Sequence, residues 1–220
     1  MKKTFFYLVV LAVALMTYSC QQKESDGKCH IHGTVGQPAL SEGKLIFLVP
    51  LKGPATAETV DSVVIKDGKF EFTPDSVQMY KILLDYHYRF GFQQLLIVGE
   101  PGDIMVSIDS ISSAHGTPQN DSLQLWKEAT ERHNREYNRM LGRAEECKRQ
   151  GNMALADSLK AEAKRYHLDY KNYSRRMSAG LKEGLLHDFL EGLFPLTYQR
   201  KMADGTMVTM DADTHEPIKE

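Results

Sequence analysis

The stretch VDSVVIKDGKFEFT, residues 60–73, decides the fold, because two runs of alternating side chains meet at its Asp67-Gly68 pair. Residues 60–67 separate into two sets at a spacing of two, and Phe70 and Phe72 resume the alternation. A period of two is typical of strands, and the Asp-Gly pair predicts a hairpin turn, since Gly readily takes the positive φ that such a turn needs. A two-stranded hairpin is marginally stable alone, so this one requires further strands around it.

Segments on both sides of the hairpin supply further strands. Alternating or dense apolar runs predict strands at residues 29–35, 44–49, 77–88, 92–98 and 104–109. Turn residues separate them, as at Glu100-Pro101-Gly102-Asp103, where the turn itself explains the two carboxylates. With the two arms of the hairpin this makes about seven strands, which predicts an antiparallel β-sandwich or barrel over residues 29–118.

Residues 119–191 have the three-and-four spacing of amphipathic helices. Asn120 is predicted to be the N-cap of a first helix that runs to about residue 149, and Gly151-Asn152 turns the chain into a second helix. Tyrosines recur along one stripe of the second helix and are expected to form the seam of the hairpin or its contact with the sheet, rather than a stacking platform for a partner. The predicted fold class is therefore α+β, with an antiparallel β-sandwich or barrel followed by a long αα-hairpin.

The C-terminal part of the chain has a weaker pattern. Residues 184–194 predict a further short helix that ends at Pro195. The tail, residues 192–220, holds one alternating segment at 207–210 after an Asp-Gly turn, which predicts a single late strand.

The N-terminus has the features of an export signal. Residues 1–19 contain two lysines and an apolar run that is shorter than the ~20 residues of a transmembrane helix. Ser19-Cys20 at the end of this run resembles the lipobox of bacterial lipoproteins, which implies that Cys20 is the site of lipid attachment and the mature N-terminus. Ordinary secretion, with a cysteine there by chance, is the alternative. Residues 20–28 are polar and predict a flexible tether.

This reading of the N-terminus predicts where the protein lies and what it contacts. We expect it in the cell envelope, lipid-anchored to the outer membrane on the periplasmic or the surface-exposed side. Its first partner would be the membrane, through acylated Cys20, and its second a protein or peptide of the envelope. No nucleic-acid partner is expected, because the formal charge of −2 becomes about −4 once residues 1–19 are removed.

The helical segment has a local excess of basic residues, with 14 Lys and Arg against 10 Asp and Glu between Asp121 and Glu183. An anionic partner is one interpretation of this excess. The charges are interspersed and offer i,i+4 pairs such as Glu131 with Arg135, which favours a solvated helix face instead.

Several short motifs of the β-rich half occur together in one order. They are His32-Gly33-Thr34-Val35, Asp61-Ser62-Val63, DGKFEF at 67–72, EPGDI at 100–104, and Gly116-Thr117 with Asn120. The ensemble resembles the domain of unknown function 4369 over about residues 29–120. That envelope domain of Gram-negative bacteria is commonly found N-terminal to a thioredoxin-like domain in lipoprotein thiol–disulfide oxidoreductases. The chain ends where that second domain would start, so we expect no redox activity to carry over.

One cluster has metal-capable side chains close together, at Cys29, His30 and His32. In a strand the two histidines share a face while Cys29 points away, which leaves too few ligands for zinc unless His87 or His115 joins them. No metal or cofactor is therefore predicted. Cys147 is expected to be an inert, half-buried thiol, and a bridge between Cys29 and Cys147 stays open as an alternative in an oxidising compartment.

The sequence contains no recognisable catalytic motif and no Cys-x-x-Cys pair, so the protein is predicted not to be an enzyme. The leading hypothesis is a lipid-anchored binding or scaffold module of the envelope with an unknown ligand. A second is an accessory to a separate thioredoxin-like thiol–disulfide oxidoreductase, on family analogy alone. A third is a metal-dependent hydrolase that uses His30 and His32.

Overall fold

The structure, a computed structural model, describes residues 26–36, 38–84, 95–109 and 111–218. Its strands are β1 (Cys29–Val35), β2 (Leu45–Pro50), β3 (Asp61–Val64), β4 (Lys69–Phe72), β5 (Gln78–Leu84), β6 (Leu95–Gly99), β7 (Gly102–Ile108), β8 (Ser113–His115), β9 (Thr197–Lys201) and β10 (Met207–Asp211). Its helices are α1 (Pro38–Ser41), α2 (Pro118–Arg149), α3 (Met153–Gly180) and α4 (Leu185–Leu193). The predicted α+β class is confirmed, and the short strand β8 is one that the sequence pattern missed.

Eight strands form two four-stranded sheets. The front sheet has the order β4-β1-β7-β8 and the back sheet the order β3-β2-β5-β6. Neither sheet closes on itself, so the arrangement is the predicted sandwich and not a barrel. The expectation of purely antiparallel pairing is wrong at one place, because β1 and β7 run parallel from Cys29 beside Gly102 to Val35 beside Ile108.

The Asp67-Gly68 turn forms as predicted, but its two arms part into different sheets. Asp67 and Gly68 have φ of 51° and 68°, and Lys66 and Lys69 form an antiparallel bridge across the turn. Beyond that bridge β3 pairs with β2 of the back sheet, while β4 pairs with β1 of the front sheet. The turn is therefore a corner that joins the two sheets.

The sandwich core lies between the inner faces of the two sheets. Ile31 and Ile104 of the front sheet and Ile46, Ile82 and Ile97 of the back sheet are at most 1% exposed. Burying such side chains stabilises a fold by about 1.5–3 kcal/mol each, which makes this cluster the main source of stability in the β-rich half.

The front sheet needs a glycine at the centre of β1. Gly33 lies opposite Phe70 of β4, and the Phe70 ring covers it so closely that a Cβ there would lie 1.9 Å from the ring Cζ. Any larger side chain at this position would displace the Phe70 ring from the core.

A second core covers the outer face of the back sheet. Met79 of β5 and Val98 of β6 point away from the sandwich and pack with Leu123 and Trp126 of α2 and Leu186 of α4. The alternation along β5 and β6 therefore serves two cores, one on each face of the sheet. The predicted αα-hairpin of α2 and α3 and the predicted short helix α4 are both present.

The expected role of Asn120 as a helix cap is wrong. The helix α2 begins at Pro118, and the N-cap position is Thr117, whose side chain makes no capping hydrogen bond. Asn120 is a fully buried residue of the first turn and bonds to Val98 of β6 and to Thr117. Its polarity serves a tertiary contact, which a local pattern cannot reveal.

The tail contains a hairpin of two strands, β9 and β10, where one late strand was predicted. Arg175 of α3 holds the chain on both sides of this hairpin. Its guanidinium donates to the Asp213 carboxylate at 2.6 and 3.0 Å and to the carbonyls of Phe194 and Pro195 at 3.1 and 2.9 Å. Lys171 also donates to Asp213.

Candidate binding cleft at the open end of the sandwich

A cleft of about 550 Å³ lies where β3 and β4 diverge into different sheets. Asp61 at the start of β3 and Thr73 just after β4 lie on its rim, at the end of both strands that is remote from the Asp67-Gly68 turn. The remaining lining comes from Leu48 and Pro50 of β2, Gln78 and Tyr80 of β5, and the loops 52–60 and 73–76. A volume of this size lies within the range of about 300–1,000 Å³ that is usual for ligand sites.

The β5 side of the cleft is fixed by a small hydrogen-bond network around Tyr80. The Tyr80 hydroxyl lies 2.7 Å from Ser76 Oγ and donates to the Ser76 carbonyl at 3.0 Å. The Gln78 amide donates to Ser76 Oγ at 2.7 Å and to the Tyr80 hydroxyl at 3.1 Å. Tyr80 is only 3% exposed, so these hydrogen bonds are largely shielded from water. They hold loop 73–76 in place, and the cleft is therefore formed without a ligand.

The opposite wall is a loop organised by one side chain, Thr59. Its hydroxyl donates to the Pro54 carbonyl at 2.7 Å and accepts the Thr56 N–H at 2.9 Å. The backbone N–H of Val60 adds a bond to the Thr56 carbonyl at 3.0 Å. These bonds give loop 54–60 a defined shape without secondary structure, as is common for loops that carry binding residues.

The charged side chains of the cleft are not neutralised within the described part of the chain. Glu58, Asp61 and Asp75 supply three carboxylates and Lys52 one ammonium, and none of the four forms an ion pair there. Because these four charged groups are not paired with one another or with other described residues, they are available to bind a ligand.

The histidines singled out from the sequence lie elsewhere, on the outer face of the front sheet. The rings of His30 and His32 stack at 6.4 Å, His30 Nε2 lies 3.0 Å from Asp26, and His32 lies 3.4 Å from both Glu71 and Asp103. Within residues 26–36, 38–84, 95–109 and 111–218 no three such side chains come together as metal ligands would.

The other candidate ligands do not join this cluster. His115 of β8 lies 3.4 Å from Asp121 at the start of α2, and His87 falls outside the described residues. Cys29 points into the sandwich core, as its alternation with His30 predicted.

The two described thiols are separate and free. Burial raises the pKa of the Cys29 thiol to about 11, and the negative charge of Glu100 acts in the same direction. Cys147 is half-buried near the end of α2, as predicted. The structure therefore contains no Cys29–Cys147 bridge, and Cys20, the predicted lipid site, lies outside the described residues.

Glu100 has a structural role that the turn signal concealed. Its carboxylate accepts hydrogen bonds from the backbone N–H and the side-chain amide of Gln119 at 2.8 and 2.7 Å, and the side-chain Oε1 of Gln119 accepts the N–H of Leu186 at 3.0 Å. The end of β6 is thus connected to the first turns of α2 and α4.

Sequence reasoning treated the cleft residues only as loop and strand positions. The cleft combines two stretches, residues 48–61 and 73–80, that lie on either side of the Asp67-Gly68 turn in the sequence, and no local motif marks it. The nearest signal is the polar, proline-containing loop 51–58, which is longer than a hairpin turn requires.

Fold and cleft together define this protein as an α+β module, a two-sheet sandwich with helices packed on its back sheet. The family model described as Domain of unknown function (DUF4369) matches residues 29–123, so the chain carries a domain of that kind over β1 to β8 and the start of α2. This confirms the resemblance inferred from the order of the motifs. No curated protein and no solved structure is significantly similar to the chain. No helix among the described residues is both long and apolar enough to cross a membrane.

Proposed function

We propose that this protein is a lipid-anchored binding module of the cell envelope, with no catalytic activity of its own, whose partner docks at the cleft between β3 and β4. The pre-formed cleft is the observation that carries the binding part of the proposal. The basic N-terminus, the apolar run and Ser19-Cys20 support the anchoring part. A protein or peptide is the proposed class of partner, since a surface of this kind can receive an extended segment.

The short tether supports a position of the cleft close to the membrane. Only eight residues separate Cys20 from Cys29, and the nine steps between their Cα atoms span at most about 32 Å when fully extended. Ile31 pairs with Phe72 in the front sheet, so the rim residue Thr73 lies at the end of the sandwich where β1 begins. The proposed anchor would therefore hold the cleft at the membrane-proximal end of the domain.

The anchor is tested by labelling growing cells with a clickable fatty-acid analogue. We expect label on the wild-type protein and none on a Cys20→Ala variant, which would also leave the membrane fraction. Label that persists in Cys20→Ala would refute lipid attachment at this residue.

The cleft is tested by site-specific photo-cross-linking in intact cells. A photoreactive phenylalanine analogue replaces Asp75 on the cleft rim, and in a matched control it replaces Glu162 on the exposed face of α3. We expect a discrete adduct from position 75 that is absent from position 162. Equal adducts at both positions, or none at 75, would contradict the proposed docking site while leaving the anchor unaffected.

A further inference from the structure

A pair of imidazoles lies in the seam between α2 and α3, and the proposed function does not use it. His133 of α2 is only 4% exposed, and its Nε2 lies 3.1 Å from Nδ1 of His167 on α3. The other ring nitrogen of His133, Nδ1, is buried and has no hydrogen-bond partner among the described residues. Buried polar atoms without a partner are rare in folded proteins, so this one requires an explanation.

Aromatic rings hold His133 in this position. The Tyr170 ring stacks on the imidazole at 4.2 Å with an interplanar angle of 7°, and its hydroxyl lies 2.7 Å from Thr130 Oγ1. The rings of Tyr137 and Tyr166 also stack on the imidazole of His133, with centroid distances of 5.5 and 5.1 Å. The ring cannot turn its free nitrogen towards water without displacing these neighbours.

The hydrogen bond between the two imidazoles requires that one nitrogen donates and the other accepts. A neutral pair satisfies this condition, because each neutral ring has one N–H and one bare nitrogen. A first added proton can reside on His167, which is exposed on its other side. With His167 charged, its Nδ1–H must donate to Nε2 of His133, so the single proton of neutral His133 moves to the buried Nδ1, which has no acceptor among the described residues. A second proton would in addition place two N–H groups and two positive charges face to face at 3.1 Å.

The surroundings resist this protonation. Burial lowers the pKa of His133, and the positive charge of His167 lowers it further. Burial also lowers the pKa of His167, the nearby ammonium of Lys171 acts in the same direction, and Asp213 of the C-terminal segment acts against them. Among the described residues, the charged groups that act on the pair are thus His167 and Lys171 of α3 and Asp213 of the tail, and Asp213 acts on His167 and not on His133.

We propose that His133 and His167 form a pH-sensitive latch that keeps the helical hairpin closed near neutral pH and lets its seam open under mild acid. Both groups bind protons less readily in the closed hairpin than in an open chain. The stability they contribute is therefore fully present above about pH 6.5, the ordinary value for histidine, and is lost as the pH falls below it. An envelope protein, as proposed above, would meet the pH of its surroundings directly.

The chain contains a reporter for this seam. Trp126 is its one tryptophan, two helical turns before His133, and its indole N–H donates to Ser174 Oγ of α3 at 3.1 Å. The rings of Phe189 and Phe194 pack against it. Opening of the seam should expose the indole and shift its emission to longer wavelength.

The first test is the Trp126 emission of the full chain between pH 7.5 and 5.0. We expect a reversible red shift in the wild type and a much smaller one in His133→Phe, which keeps a stacking ring that cannot take a proton. His115→Gln, on the exposed face of β8, is the matched control and should behave as the wild type. A flat wild-type profile, or a His133→Phe profile that matches the wild type, would overturn the proposal.

A second test does not depend on a variant that folds. The ring protons of His133 and His167 in the wild type are followed by NMR as the pH is lowered, and both are expected to titrate below the ordinary histidine value. Amide exchange in the middle of α2, corrected for its intrinsic pH dependence, should become faster as the pH falls below about 6.5. The acceleration should be about tenfold for each pH unit that separates a histidine's pKa in the closed hairpin from its ordinary value. Two imidazoles that titrate normally, without faster exchange, would contradict the latch.

Discussion

The side-chain amide of Asn120 pairs with both backbone groups of Val98, accepting its N–H at 2.9 Å and donating to its C=O at 2.8 Å. Val98 belongs to β6, the edge strand of the back sheet, so the amide takes the place of one residue of a neighbouring strand. The second amide hydrogen goes to Thr117 Oγ1 at 2.8 Å. One fully buried side chain thereby closes a sheet edge and fixes the start of α2 against it.

Replacing Asn120 with Leu should therefore destabilise the protein strongly. The volume is kept, but the buried N–H of Val98 loses its partner, at about 1–3 kcal/mol, and its C=O keeps only the N–H of Glu100 at 3.0 Å. We expect the free energy of unfolding in urea to fall by about 2–4 kcal/mol. Asn138→Leu, on the exposed face of the same helix, is the control and should change it by less than about 0.5 kcal/mol. Equal effects at the two positions would show that the Val98 contact contributes nothing.

Gly68 should tolerate no side chain. Its φ of 68° is unfavourable for other residues, and a Cβ there would lie 2.9 Å from Cγ of Pro38. Gly68→Val should lower the free energy of unfolding by about 1 kcal/mol or more. Gly142→Ala in α2 should act in the opposite direction, by about 0.5–1 kcal/mol, because its added Cβ meets nothing within 4 Å and Ala favours a helix. An unchanged melting temperature in Gly68→Val would refute the corner turn.

Removing the charge of Asp213 should loosen the tail. Hydrogen bonds from Arg175, together with Lys171, lower the pKa of Asp213 to about 2 from an ordinary 3.8. Its contribution is therefore complete above about pH 4 and is lost as the pH falls from there towards 2. Asp213→Asn should cost about 1–2 kcal/mol locally, discounted for partial exposure, and should accelerate tryptic cleavage at Arg200 and Lys201 in β9 about 5–30-fold at pH 8.

The matched control for the tail is Glu216→Gln, which removes the same charge from an exposed position close to Asp213. Its cleavage rate should equal that of the wild type. If Asp213→Asn is cleaved no faster than Glu216→Gln, the ion pair with Arg175 does not hold the tail.

The two described thiols should differ sharply in reactivity. Cys29 is 4% exposed and burial raises its pKa to about 11, which makes its thiolate about 100-fold scarcer near neutral pH than that of an ordinary cysteine. In a Cys20→Ser variant we expect one rapid reaction with a thiol reagent, at Cys147, and a second only after unfolding in urea. Two rapid reactions in the native protein would place Cys29 at an accessible surface.

The sequence alone determined the local structure of this protein. The period of two in residues 60–73 and the three-and-four spacing of residues 119–191 fixed strands and helices, because the alternation of side chains along a strand or around a helix is a property of the chain itself. Asp67-Gly68 fixed the turn for the same reason, since its positive φ depends on those two residues.

Only the tertiary structure decided which elements pair and what the polar residues do. A period of two shows that β3 and β4 are strands but does not specify which strands they pair with. Packing of the core places them in different sheets, and the cleft lies between them. In the same way, the partner of Asn120 lies 22 residues away and that of His133 lies 34 residues away. A local pattern cannot distinguish a cap from a sheet-edge contact, or a seam histidine from a latch, because both roles depend on groups that only folding brings together.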